Sequence, residues 1–354
     1  MKKFKVLLFI AILAILALSF KNFNLIEEKL YPYFVQQLVD IPKNEPNVLR
    51  IVYTGVSTPL TPHIAQQSVV FDINDSIYVF DVGSRSVANF ISQGTLDAAN
   101  IKAVFITHTH SDHVGGLGEL VLASWIRGRK NSLSVYGAGD ELINLVDGFN
   151  LAYQSDREHR VIHHGDGFLE SEFGLLVSKA FDVPEKEKVV FEDDNIKVSA
   201  FQVPHGPVKG AVGYRIVSGD RSVILSGDTA LMEDYSFVNG VDVLIHEGIF
   251  TEESEKVSKA AYALGNDRVG KVFEDIQDYH TNLFDTKNQP GLLSSLDSLD
   301  VGLLALIHII PDKDNFIIKR ALKKFKKLSP LKTVIVNDNM VMHLPLNSEK
   351  IIIR

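Results

Sequence analysis

Cysteine is absent from the 354 residues. That excludes disulfide frameworks, thiolate zinc sites and thiol nucleophiles, and leaves histidine and carboxylate to hold any metal. Positive charge is also scarce: 36 Lys and Arg against 44 Asp and Glu give a formal net charge of −8. Surfaces that follow a phosphate backbone need clustered cations, so the average charge disfavours nucleic acid as a partner. Low-complexity tracts and short-period repeats are missing too. The one uninterrupted apolar run, residues 6–18, is short for a comfortable membrane span.

That run follows Lys2, Lys3 and Lys5, the arrangement of a secretory signal with a charged start and a greasy centre. Residues 1–21 are therefore read as a signal peptide or an uncleaved signal-anchor. The body is expected outside the cytoplasm, periplasmic or extracellular, with an N-terminal anchor in the inner membrane as the variant. Residues 22–47 mix aromatics and charges with Pro32, Pro42 and Pro46 and read as a linker carrying one short helix. From residue 48 to 354 the hydrophobic content, 45% over the chain, is enough for a folded body. Short β-rich runs recur at 48–53, 68–73, 77–82, 103–107, 133–136, 196–203, 211–217, 222–226, 241–246 and 303–309. Helical periodicity falls between them, at 87–93, at 117–127 and after Glu252. The charged stretch 185–194 reads as a solvated hairpin flank.

The informative segment is 105–117, Phe-Ile-Thr-His-Thr-His-Ser-Asp-His-Val-Gly-Gly-Leu. An apolar strand runs into a loop holding His108, His110, Asp112 and His113, four metal-type ligands within six residues. A strand end that turns into a helix holds side chains at one sheet edge, where they can be aimed at a shared ion. Downstream, His205, Asp228, His246, Glu247 and His280 also stand at or near strand ends.

These residues, with Thr54-Gly55, Phe80-Asp81-Val82-Gly83, Trp125-Ile-Arg-Gly-Arg129, Ser226-Gly-Asp-Thr229, His280-Thr281 and His308-Ile-Ile-Pro311, give the chain a sequence that resembles the metallo-β-lactamase superfamily. Within it, the branch shared by tRNase Z and arylsulfatase-like hydrolases is the most similar, and the resemblance spans residues 48–344. It implies an α+β fold, a four-layer αββα sandwich with metals at one edge. It further implies that His108, His110 and His205 bind one metal, that Asp112, His113 and His280 bind a second, and that Asp228 bridges them. His308, also at an apolar strand end, competes with His280 for the second metal. Two zinc ions suit imidazole and carboxylate donors, with manganese or iron as alternatives. Such a pair, about 3.5 Å apart, activates a water for in-line attack and stabilises charge on ester oxygens.

Asp112 and His246 are the catalytic candidates, His246 as the proton donor to the leaving group, oriented by Glu247 or a backbone carbonyl. Asp81 is positioned to accept the free N–H of a ligand histidine. Arg127, Arg129, Arg160, His163 and His164 are candidates either for contacting an anionic substrate or for bracing loops. The expected reaction is hydrolysis of a phosphate or sulfate ester on a small anionic molecule. The alternatives are tRNA 3′-end processing and lactone or lactam hydrolysis, with a binding protein that has lost catalysis as a different class. The resemblance implies a tRNA-gripping arm between His205 and Asp228 for tRNA processing, and that interval here is only about twenty residues. A homodimer is expected from the branch.

Overall fold

The computed structural model describes residues 23–39, 41, 44–61, 63–287 and 289–354. The signal reading of residues 1–21 lies outside them. Where the sequence suggests a linker there is a 17-residue helix, α1 (Phe23–Val39), with Pro32 inside it. Leu30, Tyr31, Tyr33, Phe34 and Val35 on that helix are exposed. Among the described residues no helix is long and apolar enough to cross a membrane.

The second compact unit, Asn44–Arg354, is built on strands that the alternation of side chains sorts to two faces. In β1 (Val48–Gly55) every residue is buried: Leu49, Ile51 and Tyr53 join one apolar cluster, while Val52 joins another. A strand buried on both faces must lie inside a layered sandwich. Its sheet adds β2 (Ser68–Ile73), β3 (Ser76–Phe80), β4 (Ile101–Phe105), β5 (Leu133–Ala138), β6 (Leu176–Phe181), β14 (Val341–Pro345) and β15 (Ile352–Ile353), in the order β15-β14-β1-β2-β3-β4-β5-β6. The other sheet contains β7 (Lys188–Glu192), β8 (Lys197–Gln202), β9 (Val212–Ser218), β10 (Arg221–Leu225), β11 (Val241–Ile249), β12 (Val301–Ile310) and β13 (Thr333–Ile335), in the order β13-β12-β11-β10-β9-β8-β7.

Leu49, Phe71, Phe80 and Phe105 from the first sheet meet Val198, Tyr214, Val223, Val243 and Leu303 from the second in the central cluster. Outside the first sheet, Val79 and Val104 pack with Leu117, Leu120 and Leu142 of helices α3 (Leu117–Ile126) and α4 (Asp140–Ala152), and with Phe90 of α2 (Ser86–Ser92). Further helices are α5 (Gln154–His164), α6 (Thr251–Ala263), α7 (Asp267–Asp275) and α8 (Phe316–Leu328). Ile318, Leu322 and Phe325 of α8 cover Leu304 and Leu306 of β12 from outside. The four αββα layers expected from the resemblance are what the structure has. The solvated flank at 185–194 contains β7, the outermost strand of its sheet.

A candidate two-metal centre at the sheet edge

Asp81 follows β3, is fully buried and adopts a left-handed backbone with φ 56°. Its Oδ1 accepts the Thr107 backbone N–H at 2.8 Å. Its Oδ2 accepts the Thr107 hydroxyl at 2.9 Å and Nδ1–H of His113 at 2.8 Å. One carboxylate thus ties the end of β3 to the histidine loop after β4. Gly83 makes the approach possible, because a Cβ there would lie 2.2 Å from the Asp112 carbonyl oxygen.

His108, His110 and His205 bring one donor atom each into a first group. His108 Nε2 lies 2.9 Å from His110 Nδ1, and His205 Nε2 lies 3.4 Å from that same atom. The other nitrogen of His205 donates to the Tyr279 carbonyl at 2.9 Å, which leaves a lone pair on Nε2. Gly206, at φ +54°, lets the loop pass, since a Cβ there would meet the Tyr279 ring at 2.3 Å. Because Thr107 gives its proton to Asp81, its oxygen is free to accept Nδ1–H of His108, 3.1 Å away. The His108 lone pair therefore also points into the group.

A second group is formed by Asp112, His113, Asp228 and His308, all buried. His308 Nε2 is 3.1 Å from Asp112 Oδ2 and 3.4 Å from Asp228 Oδ2, and His113 Nε2 is 3.4 Å from that Asp228 oxygen. The same oxygen reaches His108 of the first group at 4.0 Å, so Asp228 stands between the groups. The resemblance gave the second-metal place to His280. The structure brings His308 there, with its backbone left-handed at φ 46° and its N–H bonded to the Val56 carbonyl at 2.8 Å. A non-glycine residue in that region costs about 1–2 kcal/mol, a strain that collects at functional sites.

His280 stands alongside, its Nδ1 3.3 Å from Glu247 Oε2. Burial opposes a charged His280, but the Glu247 carboxylate outweighs it and pushes the pKa up to about 9. Glu247 is itself held by the Thr281 backbone N–H at 2.7 Å and that of Thr229 at 3.4 Å. His246, expected as the proton donor, does not occupy that position. It is fully buried, with Nδ1 donating to the Glu247 carbonyl at 2.7 Å and Nε2 accepting from Tyr235 at 3.1 Å. Successive strand residues point to opposite faces, so in β11 Glu247 and His246 cannot both face the cluster.

The arginine candidates brace. Arg129 is buried and donates to the Phe173 carbonyl at 2.7 Å and to Ser124 Oγ at 3.0 Å, while neighbouring Trp125 donates to the Glu170 carbonyl at 3.0 Å. Arg127 lies along its own helix, 3.4 Å from the Ala123 carbonyl. Arg160 pairs with Asp156 at 2.8 Å, and His163 and His164 lie exposed at the end of α5. Thr107, a residue with no metal-binding chemistry to mark it in the sequence, links Asp81 to His108.

The donor chemistry fits two cations. In the first group the lone pairs of His108 and His205 converge on Nδ1 of His110, three imidazole nitrogens from which an ion can take one donor each. Their 2.9 and 3.4 Å separations are close to the roughly 3.3 Å between neighbouring tetrahedral nitrogens bound at about 2.0 Å. In the second group His113 Nε2 is buried without a hydrogen-bond partner. Burial works against a charge on this ring, yet Asp228, Asp81 and Asp112 pull its pKa well above the ordinary value. A site that concentrates this much negative charge on a buried imidazole calls for a cation.

Residues 62–273 match the family description "Metallo-beta-lactamase superfamily". Ribonuclease Z of Mycobacterium bovis (strain BCG / Pasteur 1173P2) is 26% identical over 273 residues, covering 75% of this chain and 87% of that one. Ribonuclease Z of Mycolicibacterium paratuberculosis is 25% identical over 270 residues, with the same coverage of 75% and 87%. Among solved structures, the metallo-β-lactamase fold protein YhfI from Bacillus subtilis superposes with a TM-score of 0.60 at 18% identity, over 84% of this chain and all of that one. Human tRNase Z, short form, gives 0.56 at 17% identity, over 84% of this chain and 100% of that one; at such identities both show the fold alone. The chain belongs to the metallo-β-lactamase superfamily, as a metal-dependent hydrolase acting on ester bonds.

Proposed function

We propose that the site hydrolyses a phosphodiester and that its substrate class is RNA, as the name of the ribonuclease Z relatives suggests. This reverses the order of the sequence expectations, which put small phosphate or sulfate esters first. The observation that carries the reading is the pair of donor groups meeting at Asp228, with His280 and Glu247 beside them. His108, His110 and His205 would hold one ion and Asp112, His113 and His308 the other, with Asp228 shared between them; zinc suits this donor set. When bound, two such ions lower the pKa of water and stabilise charge on phosphoryl oxygens. Asp81 and Thr107 fix the tautomers of His113 and His108 so that lone pairs face inward. His280, protonated through Glu247, is placed to hand a proton to the departing oxygen.

A second reading, a small phosphate or sulfate ester, is favoured by one observation. Between His205 and Asp228 there are only β9, β10 and their turn, so nothing there grips a long substrate. The test is a panel on zinc-loaded full chain: a tRNA precursor, bis-nitrophenyl phosphate, an aryl sulfate, an acyl-homoserine lactone and nitrocefin. Cleavage of the precursor and the diester supports the RNA reading, and cleavage of the diester or sulfate without the precursor supports the second. Hydrolysis of only the last two compounds refutes both. Export through residues 1–21, read by cell fractionation, and homodimerisation, read by light scattering, remain part of the proposal.

A further inference from the structure

The formal charge of −8 hides a strongly uneven distribution. Helix α8, Phe316–Leu328, carries Lys319, Arg320, Lys323, Lys324, Lys326 and Lys327 and no acidic residue. All six cations are exposed. The opposite side of the helix, Ile318, Ala321, Leu322 and Phe325, is buried against the second sheet. At 100° per residue the six cations fan over about half the circumference, and Lys319, Lys323 and Lys327 form one row with a rise of about 6 Å per step. Lys319 is bonded to Asp314 at 3.0 Å and Lys324 lies 4.9 Å above the Phe284 ring. Among the described residues no ion pair engages Lys323, Lys326 or Lys327.

The helix is joined directly to the site. It follows β12, and only seven residues, 309–315, separate His308 from its first residue. Between α8 and the segments that continue from Glu247 and His280 lies a cleft of about 750 Å³, lined by Phe250, Asn282, Phe284, Arg320 and Lys324 among others. Glu252, Glu253 and Glu255 also line it, carboxylates that make the cleft less favourable to a polyanion than the outer cationic face.

We infer that the exposed cationic face of α8 is the surface on which this protein seats the phosphate backbone of its RNA substrate outside the two-metal centre. The inference rests on the RNA reading above and supplies the grip that the short His205 to Asp228 interval lacks. Cations on a helix face neutralise phosphates without reading sequence, and each contact adds about 0.7–0.9 to the slope of log affinity against log salt. A small diester is too short to touch the metals and α8 together, so the surface should matter in proportion to substrate length.

The experiment uses zinc-loaded full chain and the variant Lys323→Gln/Lys326→Gln/Lys327→Gln; glutamine matches lysine in helix propensity, and unchanged thermal unfolding confirms the fold. Binding of a tRNA precursor is followed by fluorescence anisotropy from low to physiological salt, and kcat/KM is measured on the precursor and on bis-nitrophenyl phosphate. The expected result is a salt slope shallower by about two to three and a ratio of precursor to diester kcat/KM lowered at least tenfold, through KM. An unchanged slope and ratio overturn the inference while leaving the RNA reading intact. A wild-type chain that cleaves the diester but neither binds nor cleaves the precursor refutes the RNA reading itself. Vesicles containing phosphatidylserine are the third probe: a variant that loses vesicle binding but keeps its precursor binding overturns the inference in favour of a membrane-facing helix.

Discussion

Replacing Asp81 by Asn exchanges one oxygen for an NH₂ group and should disable a metal site at a distance. The carboxylate accepts on both oxygens: Oδ1 from the Thr107 backbone N–H at 2.8 Å, Oδ2 from the Thr107 hydroxyl at 2.9 Å and from His113 Nδ1–H at 2.8 Å. An amide offers one acceptor and one donor side. With its oxygen toward the backbone N–H, its NH₂ faces His113 Nδ1, and the ring relieves the clash by moving its proton to Nε2. That removes the lone pair His113 directs at Asp228 and Asp112. Loss of such a partner typically costs about 10–100-fold in metal affinity, or roughly 1.4–2.7 kcal/mol. Competition with a chromophoric zinc chelator would read this as one ion released earlier while the other holds. An Asp81→Asn protein that binds two zinc ions with wild-type affinity would refute the reasoning about tautomers, and with it the role given to Asp81.

His308→Ala should lose the second zinc ion, whereas His280→Ala should keep both and lose turnover; elemental analysis after dialysis with a weak chelator, set against diester hydrolysis, separates the two. For the proton donor the sign is fixed by the raised pKa of about 9 at His280. Turnover should fall as pH rises through about 9, and in Glu247→Gln, where only Asp228 and Asp112 still oppose burial, that fall should move to lower pH. Coincident alkaline limbs in the two kcat profiles would remove His280 from the role. Arg129→Lys should lower stability by about 1–3 kcal/mol through the stranded Phe173 carbonyl and Ser124 hydroxyl, as read by urea unfolding, with KM for bis-nitrophenyl phosphate unchanged.

The dense loop 105–117 was readable because four ligands in six residues leave little else for a buried polar turn to be. The strands were readable as near-continuous apolar runs. His308 was harder to place: it lies near the end of β12, whose residues are almost all buried, and its left-handed backbone there is invisible in a sequence. Glu247 and His280 lie 33 positions apart, and their pairing depends on β11 presenting Glu247, rather than His246, to the cluster. The Trp-Ile-Arg-Gly-Arg element left anion contact and loop bracing both open, because guanidinium suits either; burial settles Arg129 as a brace on the Phe173 carbonyl and the Ser124 hydroxyl. Helix α8 went unread because averaging its cations into the net charge erased them.

Zinc-edge anomalous diffraction from a crystal of the zinc-loaded protein would locate both ions. Two peaks about 3.5–4 Å apart are expected, one among His108, His110 and His205, the other among Asp112, His113 and His308, with Asp228 touching both. A single peak, or a second ion seated between Glu247 and His280 with His308 unligated, would contradict this placement.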